Sequence, residues 1–152
     1  MADEQRTWNE IKMTRAERDA FLSAERICRV ATASPVRGPH VSPLWFVWDG
    51  EAIWLKSLVK SQRWIDLERD PRTSVVVDAG NDLEDLRGVE LRGRVEQVGE
   101  VPRVGGPNRE LEEPERLYSR KYHERDETTY DDRHAWLRLV PERIVSWDFS
   151  KG

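Results

Sequence analysis

The stretch KSLVKSQRWIDLERDPR, from Lys56 to Arg72, gathers Lys56, Ser57, Lys60, Ser61, Gln62 and Arg63 where a strand-like run gives way to a helix-like one. Cations and hydroxyls at such a junction suit an anion. The first turn of a helix leaves backbone N–H groups unpaired and carries partial positive charge. Ser61 is placed to cap the helix, and Arg63 can make a two-pronged contact to phosphate. Three readings compete for the stretch: a solvated helix end, a sequence-independent nucleic-acid patch, and a phosphate cradle. The Gly-x-x-x-x-Gly-Lys spacing of a P-loop is absent.

Other residue types that could do chemistry are few. His40 opens a strand-like run, as a surface histidine or a proton donor with a near-neutral reference pKa. His123 and His134 bracket Glu124, Asp126, Glu127, Asp131 and Asp132, but no pair has a zinc-like spacing, so the segment reads as solvated loop and no metal is expected. Tyr118 and Tyr122, four apart, read as a packing stripe. The single cysteine, Cys28, lies in the apolar run ICRVATA and reads as a packed thiol. No Gly-x-Ser-x-Gly elbow, Ser-His-Asp set or carboxylate pair stands out, so no catalytic residue is assigned.

Elements must position these residues, and composition bounds what they can build. A chain of 152 residues supports one domain, with residues 1–13 expected as a flexible N-terminal segment. The 25 Lys and Arg against 29 Asp and Glu give a net charge of -4, the wrong sign for a typical nucleic-acid binder. One cysteine excludes an intrachain disulfide. The polar start MADEQRTWNEIK lacks a signal-peptide core, and no run approaches the ~20 apolar residues of a spanning helix. A cytoplasmic protein with no membrane partner is expected. Seven tryptophans, with Trp45, Trp48, Trp54 and Trp64 close together, suggest core, a dimer interface or ring-stacking platforms.

Thr14-Arg15-Ala16-Glu17 fits a capping box and predicts a helix over about 14–24, with Ala16, Ala20, Phe21 and Ala24 as its apolar stripe. Strands are predicted at 27–33, 40–48 and 51–57. The second contains Pro43, which marks an edge or bulge, and Asp49-Gly50 turns it into the third. A helix over 61–69 ends before Asp70-Pro71. Strand 73–78 carries Val75, Val76 and Val77, read as buried on both faces. Strand 89–98 alternates, with Glu90, Arg92, Arg94 and Glu96 on a wet face. A helix is predicted over 114–123, and strands over 136–140 and 144–149. About seven strands and three helices with hairpin-length links predict a mainly β fold, a small barrel with flanking helices.

The order CRVATASPVRGPHVSPLWFVWDGEAIWLKS, then SQRWIDLERDPRTSVVVD, then GVELRGRVEQV, resembles the pyridoxamine 5'-phosphate oxidase-like family of split β-barrel flavoproteins. It is similar above all to the actinobacterial branch that uses FMN or the deazaflavin coenzyme F420. The resemblance spans roughly residues 14–149. It implies a homodimer with two cofactor sites at the subunit interface.

By the same resemblance, Ser42, Pro43, Leu44 and Trp45 run along the flavin ring and ribityl chain. Lys56 and Ser57 contact the phosphate side. Gln62 and Arg63, preceded by Ser61, stand where many members have a phosphate-holding Arg-Lys pair, and Lys60 supplies a second cation. The implied activity is hydride transfer between bound FMN or F420 and a small organic substrate. Pyridoxamine phosphate oxidation itself is not expected, because the sequence given stops at SWDFSKG without the arginine-rich substrate motif of true oxidases. The rival reading is a binding or carrier module without turnover, for flavin, deazaflavin or haem, with His40, His123 or His134 as axial candidates.

Overall fold

A computed structural model describes residues 8–151. A short helix α1 (Trp8–Ile11) leads to α2 (Arg15–Ala24) and then to β1 (Ile27–Ser34), β2 (Gly38–Trp48), β3 (Ile53–Leu58), α3 (Gln62–Arg69), β4 (Arg72–Ala79) and β5 (Arg87–Val98). Helix α4 (Arg109–His123) and strands β6 (His134–Leu139) and β7 (Arg143–Asp148) complete the chain. The sheet order is β4-β1-β2-β3-β6-β5-β7, and β4 also pairs with β5. That pairing closes six antiparallel strands into a barrel and leaves β7 outside, along β5. The fold is the expected split β-barrel with flanking helices.

The N-terminal segment 1–13, expected to be flexible, falls partly outside the described residues. Its last residues form α1 and bury Ile11 and Met13. Helix α2 starts where the capping box puts it: the Thr14 hydroxyl accepts from the Glu17 N–H at 3.1 Å, and the Glu17 carboxylate accepts from the Thr14 N–H at 3.0 Å. Its buried face is Phe21 and Leu22. The alanine stripe is exposed instead, because the helix rests on the barrel through its two large side chains and leaves the small ones to water. In β4, Val75 and Val77 are fully buried but Val76 is half-buried on the outer face, so the strand alternates.

Helix α4 begins five residues before the predicted start. The Asn108 side chain accepts from the Glu110 N–H at 3.0 Å and caps it, so Pro114 lies inside the helix rather than at its first turn. The missing proline N–H leaves only the Glu110 carbonyl without its helical donor, close to the helix end where water can replace it.

The barrel interior holds Cys28, Val30, Phe46, Leu55, Trp64, Val75, Leu91 and Leu137, among others. Phe46 and Leu55 face each other across β2 and β3 with no exposure, each burial contributing roughly 1.5–3 kcal/mol. A second cluster joins Val47, Trp54, Leu111, Tyr122 and Trp136 and seats α4 on the barrel's outer wall. Cys28 belongs to the first cluster, and burial pushes its thiol up to about 12, so it is a packing group rather than a nucleophile.

Candidate cofactor-binding site

The barrel opens along one seam. Strand β2 pairs with β1 from Ile27–Trp45 to Ser34–Gly38. With β3 it pairs only through Phe46, Val47 and Trp48. Before Phe46 the two strands diverge, so this half of β2 has a neighbour on one side only. Pro43 sits there, where a missing N–H need not break a ladder.

Arg63, from α3, lies in the gap. Ser61 starts that helix: its hydroxyl accepts from the Trp64 N–H at 3.1 Å and donates to the Leu58 carbonyl at 2.8 Å. This turns the Arg63 side chain inward, where it is only 7% exposed. Its Nε donates to Ser57 Oγ at 3.1 Å and its Nη1 to Ser42 Oγ at 2.6 Å. One serine comes from each separated strand, so the guanidinium bridges the split. No carboxylate forms an ion pair with it among the described residues, and burial pulls its pKa below the ordinary arginine value.

A cavity of about 510 Å³ opens from this point, walled by Pro43, Leu44 and Trp45 on one side and by Lys56, Leu58 and Tyr118 on another. Trp45 is 40% exposed, and one face of its ring stacks on Tyr122 at 4.2 Å and 8°. Tyr122 is fixed in turn. Its hydroxyl accepts from the Phe46 N–H at 3.0 Å and lies 2.7 Å from the carbonyl oxygens of Arg26 and Phe46. It thereby extends the β1–β2 ladder by one step.

The polar rim is charged. Lys56 lies 5.0 Å from the Tyr118 ring centre, and burial lowers its pKa against the opposing pull of Asp131 and Glu115. Burial raises the Tyr118 hydroxyl to about 12. His134 Nδ1 is 2.5 Å from Asp131 Oδ2. Burial opposes ionisation of Asp131, yet the backbone N–H groups of Arg133 and His134 and the His134 ring together hold its carboxyl below the ordinary range. An apolar wall, a buried unneutralised cation and a charged rim suit a planar molecule bearing an anionic tail.

A family model described as pyridoxamine 5'-phosphate oxidase matches residues 14–148. The chain belongs to the pyridoxamine 5'-phosphate oxidase family. Solved structures agree. A conserved hypothetical protein of Mycobacterium tuberculosis is 30% identical with a TM-score of 0.75, covering 96% of this chain and 90% of that one. A FAD-binding protein of Mesorhizobium loti is 20% identical with a TM-score of 0.67, covering 89% and 93%. An F420 reductase is also 20% identical, with a TM-score of 0.58, covering 83% and 94%. The last two likenesses are likenesses of fold. No curated protein matches the sequence.

The residues that the resemblance to the pyridoxamine 5'-phosphate oxidase family singled out divide into two groups. Pro43, Leu44, Trp45, Lys56 and Arg63 line the cavity, and Ser42 and Ser57 hold Arg63. Lys60, Ser61 and Gln62 do not line it. Lys60 and Ser61 border a smaller pocket of about 250 Å³ with Asp132 and Arg133. Gln62 accepts from Arg37 and donates to Asp66 at 2.6 Å, tying α3 to the β1–β2 turn. The second cation of the cavity is therefore Lys56. His40 also lies off the cavity, with its buried Nδ1 unpartnered.

Tyr118, His123, Thr129, Asp131 and His134 complete the lining; from the sequence the two histidines entered only as axial candidates of the rival haem reading, and the other three were assigned to no site. The tyrosine spacing and the two histidines were visible there. What was not visible is that β6 pairs His134 with Leu58, which folds the 124–133 loop back onto the end of β3.

Proposed function

We propose that this member of the pyridoxamine 5'-phosphate oxidase family is an FMN- or F420-dependent oxidoreductase, transferring hydride between the bound cofactor and a small organic substrate. The observation that carries this reading is Arg63, a buried guanidinium that is held by two hydroxyls, lines the cavity and has no carboxylate paired with it among the described residues. A phosphate or phosphodiester supplies the missing negative charge, and Lys56 adds a second cation. Pro43, Leu44 and the free face of Trp45 wall the ring and keep water from it. The ring supplies the hydride chemistry when bound. His134, paired with Asp131, stands on the cavity's rim.

The protein acts as a homodimer with the cofactor between subunits. The exposed face of the β1–β2 hairpin supports this, since Ile27, Val41 and Trp45 stand outward on it. A second subunit there would cover the open side of the cavity.

Titration with FMN and with F420, followed by flavin fluorescence and by absorption, tests the reading. Saturable binding of one of the two, weakened by Arg63→Met and unaffected by Lys60→Ala, is the expected result. Binding that Arg63→Met leaves untouched would place the anionic tail elsewhere. Failure to bind either cofactor would reject the oxidoreductase.

A further inference from the structure

A second cavity, also about 510 Å³, lies away from the split, where α1 and the start of α2 meet β7. Its charge is unlike that of the molecule as a whole. Three cations, Lys12, Arg18 and Arg143, line it in a chain of net charge -4. None of the three enters an ion pair among the described residues.

Two carboxylates of α2 are committed elsewhere. Glu17 pairs with Lys151 at 2.6 Å and caps α2. Asp19 accepts from the Trp48 indole at 2.9 Å and lies 4.0 Å from Arg15. Arg18 Nε is buried with no acceptor, one of only two such side-chain atoms among the described residues. A buried N–H is ordinarily satisfied, and when protein does not satisfy it a ligand or water must.

The remaining walls are mostly apolar, with Asn9 and Ser146 as the polar exceptions. Met13, Ile144 and Val145 line the cavity, and Trp8, 60% exposed, forms part of its lip. The corner is held in place, since the Met13 N–H donates to Ser146 Oγ at 3.0 Å and so fastens the α1–α2 turn to β7. The volume falls in the range of small-molecule sites.

We infer that this pocket is a second binding site, for a planar organic anion of the aryl carboxylate class. Arg18 and Arg143 receive the carboxylate, Lys12 adds charge at the entrance, and the Trp8 ring stacks on the apolar body. The inference does not depend on the cofactor reading, because the pocket shares no residue with the first cavity.

The probe is 2-naphthoate, added to the full chain and followed by amide NMR shifts and calorimetry, with neutral 2-naphthalenemethanol and inorganic phosphate as controls. Saturable shifts centred on Met13, Val145 and Ser146 are expected, with the acid binding at least about ten-fold more tightly than the alcohol. Arg18→Gln and Arg143→Gln should each weaken naphthoate by roughly ten-fold, the loss of one charge-assisted contact. Trp8→Ala should weaken naphthoate and leave phosphate unchanged. Lys12→Gln, at an exposed position, gives a variant whose folding is not in question, and it should reduce the salt dependence of binding.

Equal affinity for acid and alcohol would overturn the site. So would no binding at all, shifts confined to the Trp45–Tyr118 cavity, or affinity that the two arginine variants do not change. FMN and F420 titrations of the same variants should match the wild type, which separates failure here from failure of the cofactor assignment.

Discussion

Two arginines are buried among the described residues, and their surroundings are opposite. Arg103, 4% exposed, is saturated with acid: Nε and Nη2 donate to Glu115 at 3.0 and 2.8 Å, and Nη1 donates to Glu100 and to the Gly106 carbonyl. The Glu115 and Glu100 carboxylates raise its pKa. Arg63, 7% exposed, has two serine hydroxyls and no acid, and burial lowers its pKa. The first charge is neutralised by the fold and pins the 99–108 loop to α4. The second is placed by the fold and left for something else to neutralise. A buried charge is costly unless paired, so this difference separates a structural arginine from a ligand-holding one.

The comparison can be broken most strongly at Arg103. Arg103→Met should destabilise the protein by roughly 3–5 kcal/mol, because it strands the Glu115 carboxylate in the interior. Urea denaturation measures this. A loss under about 1 kcal/mol would mean that the ion cluster is not a structural anchor.

Arg63→Met should do the reverse. Stability of the ligand-free protein should change by no more than about 1–2 kcal/mol, the value of the two serine contacts, while cofactor affinity falls on the order of 10–100-fold. Ser42→Asp sharpens the contrast, since it would give Arg63 the carboxylate that Arg103 already has. We expect it to keep or raise the melting temperature and to weaken cofactor binding as much as Arg63→Met does. Tight binding in the Asp variant would show that the guanidinium does not face the ligand.

Tyr122→Phe separates the ring wall from the cation. Removing the hydroxyl leaves the Phe46 N–H and the Arg26 carbonyl without that partner, at a cost of about 1–3 kcal/mol. Cofactor affinity should fall less than in Arg63→Met, because the Trp45 stacking surface is retained. A thermal melt that does not move would dismiss the Tyr122 hydroxyl as a brace.

The smallest effect is in acid. Hydrogen bonds from Arg103 and from the backbone lower Glu100 from 4.5 to about 2. The stabilisation linked to Glu100 is complete above pH 4.5, and it is lost as pH falls towards 2. Glu100→Gln should flatten the stability profile over that window. Arg63 has no carboxylate paired with it among the described residues and contributes nothing there. An unchanged slope in Glu100→Gln would assign the acid sensitivity to other groups.

Much of the fold was legible in local signals. The Thr14–Glu17 box, Asp49-Gly50, Ser61 and Asp70-Pro71 act within a few residues of themselves, so they mark elements without help from tertiary contacts. Local reading failed where a distant partner decides. Glu115 stands at the start of the predicted 114–123 helix, where an exposed acid would suit the helix dipole, yet it is buried because Arg103 comes to it from the preceding loop. Ala16, Ala20 and Ala24 have the spacing of a buried face, but the barrel meets Phe21 and Leu22. Lys60 and Arg63 stand three apart, and the turn at Ser61 sends them to different pockets.

Sequence alone determined the strand and helix order, the family resemblance and the region around 56–63 as the place to look. Tertiary structure decided which cation there is buried and which lines a separate pocket. It also decided that a tyrosine of α4, and a histidine and an aspartate far along the chain, complete the cavity. The physical reason is that neutralisation of a charge depends on what lies within a few ångströms of it. In a closed barrel those neighbours come from strands and loops remote in the sequence.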